Sequence, residues 1–411
     1  MDEPDRLLHA ILDLTGWTHA RLVHELRRTA LLLREPAPVG LNVVTVNRWK
    51  QGRQSPSGYY RRLIRHLYVS THQSAVGCDE VDPMKRRPSL ASSTFLPAPA
   101  RLGFDGRLAD SLAEVVHGHA RLWYALPPSA LLSPTRGQLG VLNDLRAVSR
   151  QGPAAPRLAG LTGHVAALAG WLSWLSGHRQ GASAYYTFAH GLAGELRDDR
   201  TQAFVLVLRS FMCSDHFRSE KGGASRALAL LDRAVELAGT EGPPHLRVFA
   251  LARRAEEHAI SRASGAALAA GRDLDLAERA LAGARAPDPG FFGYLDRDRL
   301  AGCRGTCAVV LGQPGEAVAM LTGVLDSTPD ELAAERSILM TDLAAAYAQQ
   351  AEVARACDAL SRSLALGAAG DANRIERILA VRHSALSRWS DAPEVRRLDE
   401  QLREAIGPTP A

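Results

Sequence analysis

Between Pro36 and Cys78 the chain contains no Asp or Glu, yet Arg48, Lys50, Arg53, Arg61, Arg62 and Arg65 all fall there. Cations at that density attract a polyanion, and an arginine fork can grip a phosphate or the two acceptors on a guanine edge. The asymmetry is local: the first 75 residues carry the +5 net charge of the whole chain, and the remainder is electrically neutral. Other chemistry has little support. No G-x-x-x-x-G-K-[ST] loop is present, and lysine occurs only at 50, 85 and 221, so a phosphate loop of that form is excluded. Neither H-E-x-x-H nor a zinc quartet of Cys and His occurs; Cys303 and Cys307, four apart, share a helix face but read as buried thiols. His117, His119, His164, His178 and His190 are scattered, without catalytic grouping. The expectation is a protein that is not an enzyme and holds no cofactor.

The elements that would position the cations are short helices. Leu7, Leu8, Ile11, Leu12 and Leu14 recur at helical spacing, and Thr15-Gly16 ends that run. Thr18 is a suitable N-cap for a second helix carrying Leu22, Val23 and Leu26 to about Leu33. Prolines 36 and 38 forbid its continuation. Asn42 can cap a third helix in which Val46 and Trp49 point inward, leaving Val43, Val44, Thr45, Asn47 and Arg48 available, until Gly52 stops it. After Ser55-Pro56, a fourth helix sets Tyr60, Leu63, Ile64 and Leu67 on one side against Arg61, Arg62 and Arg65 on the other.

Gly16-Trp17-Thr18 and the run Thr45-Val46-Asn47-Arg48-Trp49-Lys50-Gln51-Gly52-Arg53-Gln54-Ser55-Pro56 resemble the Cro/CI-type (xenobiotic-response-element-like) helix-turn-helix domains over residues 5–68. The connection over 33–41 is longer and richer in proline than the family's, and Lys50 stands where a glutamate is common. The resemblance implies double-stranded DNA as partner, with the third helix entering the major groove. By position it implies Thr18, His19, Asn42, Val43, Val44, Thr45, Asn47 and Arg48 near base edges or phosphates, Arg48 being the guanine reader. Lys50, Arg53, Arg61 and Arg62 would hold the backbone, while Trp49 belongs to the core.

Residues 71–104 are rich in Ser, Pro, Ala and Thr and read as a flexible linker, with Lys85-Arg86-Arg87 a solvated cluster within it. The organisation is thus a DNA-binding domain over 1–70, the linker, and an Ala- and Leu-rich helical array over 105–411. The fold class is all-α.

Small residues recur through the array. Gly170, Gly177, Ala182, Tyr186 and Ala189 form one copy; Gly222, Ala227, Leu231 and Ala234 another; then Gly265, Leu268, Ala277, Leu281 and Ala284; Gly305, Gly312, Ala317, Leu321 and Val324; and Leu343, Ala344, Tyr347, Ala356, Leu360 and Ser363. They resemble the tetratricopeptide repeat, although the alanines at 182, 227, 277, 317 and 356 are spaced more widely than its usual 34 residues.

A helix-turn-helix module tethered to such repeats resembles cytoplasmic transcriptional regulators whose repeats bind a signal peptide, a small-molecule ligand or a partner protein and so control DNA binding. The arginine- and alanine-rich composition suggests an actinobacterial type. Two half-sites call for a homodimer. The alternative is a tetratricopeptide adaptor with weak or no DNA binding. No membrane association is expected, since no uninterrupted apolar stretch approaches bilayer length and the acidic N-terminus is unlike a signal peptide, which points to the cytoplasm.

Overall fold

A computed structural model of the protein describes residues 7–9, 11–12, 19–32, 41–51, 53–65, 67, 106–122, 126–148, 155–214, 222–239, 244–283, 296–366 and 371–406. Among these residues all regular structure is helical and no strand occurs, as the absence of apolar alternation requires. The chain divides into two compact units, residues 1–87 with 399–411, and residues 88–398. The proposed linker at 71–104 lies outside the described residues.

In the first unit, α1 (His19–Leu32), α2 (Val43–Lys50) and α3 (58–65) enclose a small core of their own. Leu8, Ile11, Leu22, Leu26, Val46, Trp49, Leu63 and Ile64 are all essentially inaccessible to solvent. The helical spacing of these residues thus defines the buried faces, and Trp49 is core as expected, its ring 4.9 Å from that of Tyr60. Gly16, Trp17, Thr18 and Gly52 lie outside the described residues.

The remaining helices are α4 (Gly106–Leu122), α5 (Pro128–Val148), α6 (Ala155–Leu175), α7 (Arg179–Leu196), α8 (Asp199–Cys213), α9 (Gly223–Ala238), α10 (Pro244–Ser261), α11 (Ala266–Ala282), α12 (Arg297–Val310), α13 (Pro314–Ser327), α14 (Ala333–Gln349), α15 (Val353–Ala365), α16 (Ala372–Ala385) and α17 (Pro393–Ile406). Each helix from α6 to α15 packs on its successor. The even-numbered ones, α6, α8, α10, α12, α14 and α16, also touch the next even-numbered helix, and so form a layer of their own. Helices of this layer are buried on most sides, which explains why α6 is apolar nearly all round. Its length and composition would also suit a bilayer, but most of its residues are packed inside this unit.

The odd-numbered helices from α7 to α15 are apolar on one side only and lie against the first layer through small residues. Ala182, Ala227, Ala277, Ala317 and Ala356 are each 0% exposed, one in each of these five helices. Four residues on, Tyr186, Leu231, Leu321 and Leu360 are also fully buried, whereas Leu281 is half-buried. Leu268 departs from the expected pattern: it is 61% exposed, because Ala266 and Ala270 on either side of it face inward in the first turns of α11. Gly222 and Gly265, just before α9 and α11, have φ of 78° and 80°, a left-handed conformation that favours glycine.

One arrangement has no counterpart in the sequence pattern. The last helix of the even-numbered layer, α16, returns to the first, α6: Asn373 Nδ2 donates to the carbonyl of Trp174, and Ala372 sits beside Gly177. The contacts therefore form a closed circuit, where an open stack would keep its ends apart.

Candidate nucleic-acid interface

Helix α2 is fixed at both ends by local bonds. Asn42 is extended and its Oδ1 accepts from Thr45 N at 2.9 Å and from Thr45 Oγ1 at 3.1 Å, which satisfies an orphan donor of the first turn. The carbonyl of Arg48 accepts from Arg53 N at 2.9 Å and turns the chain back after the helix. Arg27 on α1 donates from Nη2 to the carbonyl of Leu41 at 2.9 Å, so α1 holds the entry to α2. That positioning role was not read from the sequence, where Arg27 is one more cation on an amphipathic helix.

With Val46 and Trp49 buried, the opposite side of α2 faces solvent. Val43 is 44% and Val44 59% exposed, and Arg48, Lys50 and Arg53 are exposed too. Two exposed valines on an eight-residue helix keep apolar surface in water, which suits contact with a thymine methyl or the sugar edge. Thr45 and Asn47 are half-buried; the threonine hydroxyl is bonded to the Asn42 cap, and Asn47 Oδ1 lies 3.4 Å from Gln51 Nε2. Asn42 and Thr45 therefore shape the helix start as well as border the exposed face. Among the described residues, no ion pair engages Arg48, Lys50 or Arg53.

Arg61 and Arg62 are exposed on α3, with Leu63 and Ile64 turned into the core. Arg61 also donates from Nε to the carbonyl of Pro56 at 2.9 Å, which braces the loop between α2 and α3 and leaves its terminal nitrogens outward. His19, half-buried at the start of α1, is held below the ordinary histidine range by burial and then by the charge of Lys50. Thr18 lies outside the described residues. The structure thus gathers Asn42, Val43, Val44, Thr45, Asn47, Arg48 and Lys50 on one helix and its cap, with Arg53 just beyond and Arg61 and Arg62 on the next helix.

The second unit holds buried charge that composition and helical spacing do not mark. Arg253 on α10, with a side chain 2% exposed, pairs with Glu257 and with Glu256 at 2.7 Å, donates to Ser214 O at 3.0 Å, and lies over the Phe211 ring at 4.1 Å. Ser214 Oγ in turn donates to Glu257. Asp342 on α14 accepts from Thr306 Oγ1 at 2.6 Å and from Arg377 on α16. These groups tie α10 to α8, and α12 and α16 to α14, through protein partners, so they read as structural ties. Cys307 is buried and Cys303 half-buried; burial pushes both thiols well up, which keeps them protonated and unreactive. Among the described residues no group of three His, Cys, Asp or Glu is placed to hold a metal.

No protein-family model matches the chain, and neither a curated protein nor a solved structure matches it.

Proposed function

We propose that the protein is a sequence-specific DNA-binding transcriptional regulator of helix-turn-helix type, whose tetratricopeptide-like helical array binds a signal or partner and controls DNA binding. The observation that carries this reading is the solvent-facing side of α2: Val43, Val44 and Arg48 stand exposed on a helix capped by Asn42, in a stretch of chain with six cations, at 48, 50, 53, 61, 62 and 65, and no acid. In the proposed complex α2 enters the major groove, Arg48 reads guanine through its fork, and Lys50, Arg53, Arg61 and Arg62 neutralise phosphates. The buried ties of α10 to α8, and of α12 and α16 to α14, support a stiff array in which binding at one place shifts helices elsewhere.

The test is fluorescence anisotropy of the full chain on duplex DNA, first on random sequence and then on promoter fragments, over a range of salt. Affinity should fall as salt rises, with a log–log slope of about −0.9 per phosphate neutralised. Absent or salt-independent binding would leave the array as an adaptor for other proteins.

A further inference from the structure

Helix α4 is the first described helix of the second unit, and it buries one side only. Ala109 and Val116 are inaccessible, and Leu112 and Ala113 pack on the same core as α6. The other side is also apolar: Leu108, Val115 and Leu122, spaced by seven, are 36%, 50% and 42% exposed. A terminal helix of a repeat stack ordinarily turns a polar face to water. At the other end of the second unit, Arg396 and Arg397 at the start of α17 are exposed.

The residues between the large ones on this face are small. Ser111 is exposed, and a Cβ added at Gly118 would meet nothing within 4 Å, so open space lies over the glycine. With Leu108, Val115 and Leu122 at heptad position a, Ser111 and Gly118 take position d, and the seam alternates large and small.

We infer that this face of α4 is a homodimer interface, in which two α4 helices pack antiparallel across a two-fold axis. In that register Val115 of one copy sits over Gly118 of the other and Leu122 over Ser111, each contact occurring twice by symmetry. A parallel pairing would set large on large and small on small, leaving gaps at every second layer. Charge fits the same register. Glu114 is exposed and forms no ion pair among the described residues, and Arg121 follows it by one heptad. By sequence register both residues fall at position g, and antiparallel pairing sets helix position 114 of one copy beside position 121 of the other, twice. The inference deepens the functional reading above by naming the surface that supplies the second half-site reader.

Sedimentation velocity of the full chain, with circular dichroism as a check on folding, tests it. The wild type should be a concentration-dependent dimer. Gly118→Leu fits the open space of the monomer but fills the seat of Val115, and should weaken the dimer at least tenfold with helicity retained. Glu114→Arg should weaken it too, and Glu114→Arg combined with Arg121→Glu should restore it. A wild type that is monomeric at all concentrations, or a dimer indifferent to Gly118→Leu and to the charge exchange, would overturn the inference. Anisotropy on random duplex DNA is read separately: a dimer that binds no DNA would sink the regulator reading alone, and DNA binding by a monomeric wild type would sink the dimer alone.

Discussion

Gly170 on α6 and Tyr186 on α7 are packed so closely that a Cβ on the glycine would lie 2.6 Å from Cε1 of the ring. Gly305 on α12 stands in the same relation to Leu321 on α13, with a Cβ 2.8 Å from Cδ2, and in both pairs the residues are 16 apart. The large side chain of one helix fills the space that glycine leaves on its partner. Gly170→Ala should therefore be destabilising: overpacking costs about 1–3 kcal/mol, and the gain in helix propensity offsets at most about 1 of that. Gly140→Ala on α5, where an added Cβ meets nothing within 4 Å, should instead gain up to about 1 kcal/mol. Urea unfolding of both variants decides it, and equal effects would contradict the packing account.

Arg253 and Glu257 form a pair with both side chains almost wholly buried. Removing the cation alone leaves a carboxylate without its countercharge, so Arg253→Met should lose about 3–5 kcal/mol. Arg253→Met combined with Glu257→Met should lose less than the single change, because no buried charge is then stranded. Chemical denaturation of both variants measures the difference.

Arg48 and Arg61 should separate base reading from backbone holding. Arg48→Ala should reduce discrimination between operator and random DNA by about 1–3 kcal/mol. Arg61→Ala should weaken both complexes alike, and its lost bond to the Pro56 carbonyl should lower stability by about 0.5–1.5 kcal/mol. Competition binding on both DNAs, with melting curves for the free proteins, checks each part. Equal loss of discrimination in the two variants would place the reading face elsewhere.

Burial, and then the nearby charge of Arg136, holds the imidazole of His178 below the ordinary histidine range. The unfolded chain takes up that proton at about pH 6.5, and the folded protein resists it. The sign follows: this residue's contribution is fully present above about pH 6.5 and is lost as pH falls toward the lower folded value. His178→Gln should therefore flatten the acid side of the stability profile and change nothing above neutrality. Urea midpoints on both sides of that pH, for wild type and variant, measure the slope.

Buried Ser173 differs from its neighbours in the helices. Thr135 and Thr162 return their hydroxyls to the carbonyl four residues back, at 2.8 and 2.7 Å, while Ser173 Oγ has no partner among the described residues. Ser173→Ala removes that unmet group and should leave stability unchanged or raise it by about 1 kcal/mol, as thermal melting would show.

Much of the first unit was legible because its determinants are local. Asn42 as cap, Val46 and Trp49 as core, and Arg61, Arg62 and Arg65 opposite Leu63 and Ile64 all follow from side-chain type and helical period. The alanines of the array were legible for the same reason, since a small residue at a repeated position signals close helix approach wherever it falls. Arg27 was not, because its partner is a backbone carbonyl 14 residues away.

By itself, then, the sequence determined the helical class, the small/large rhythm of the array and the concentration of cations around residues 48–65, all properties of composition and short-range spacing. Tertiary structure alone decided what depends on residues far apart in the chain. It set Asn373 against Trp174, 199 residues away, closing the circuit of α6 to α16, and it buried Arg253 against Ser214, 39 residues away. Periodicity specifies which side of a helix is apolar, but not which helix meets it: that depends on how small rotations at each pair accumulate along the stack.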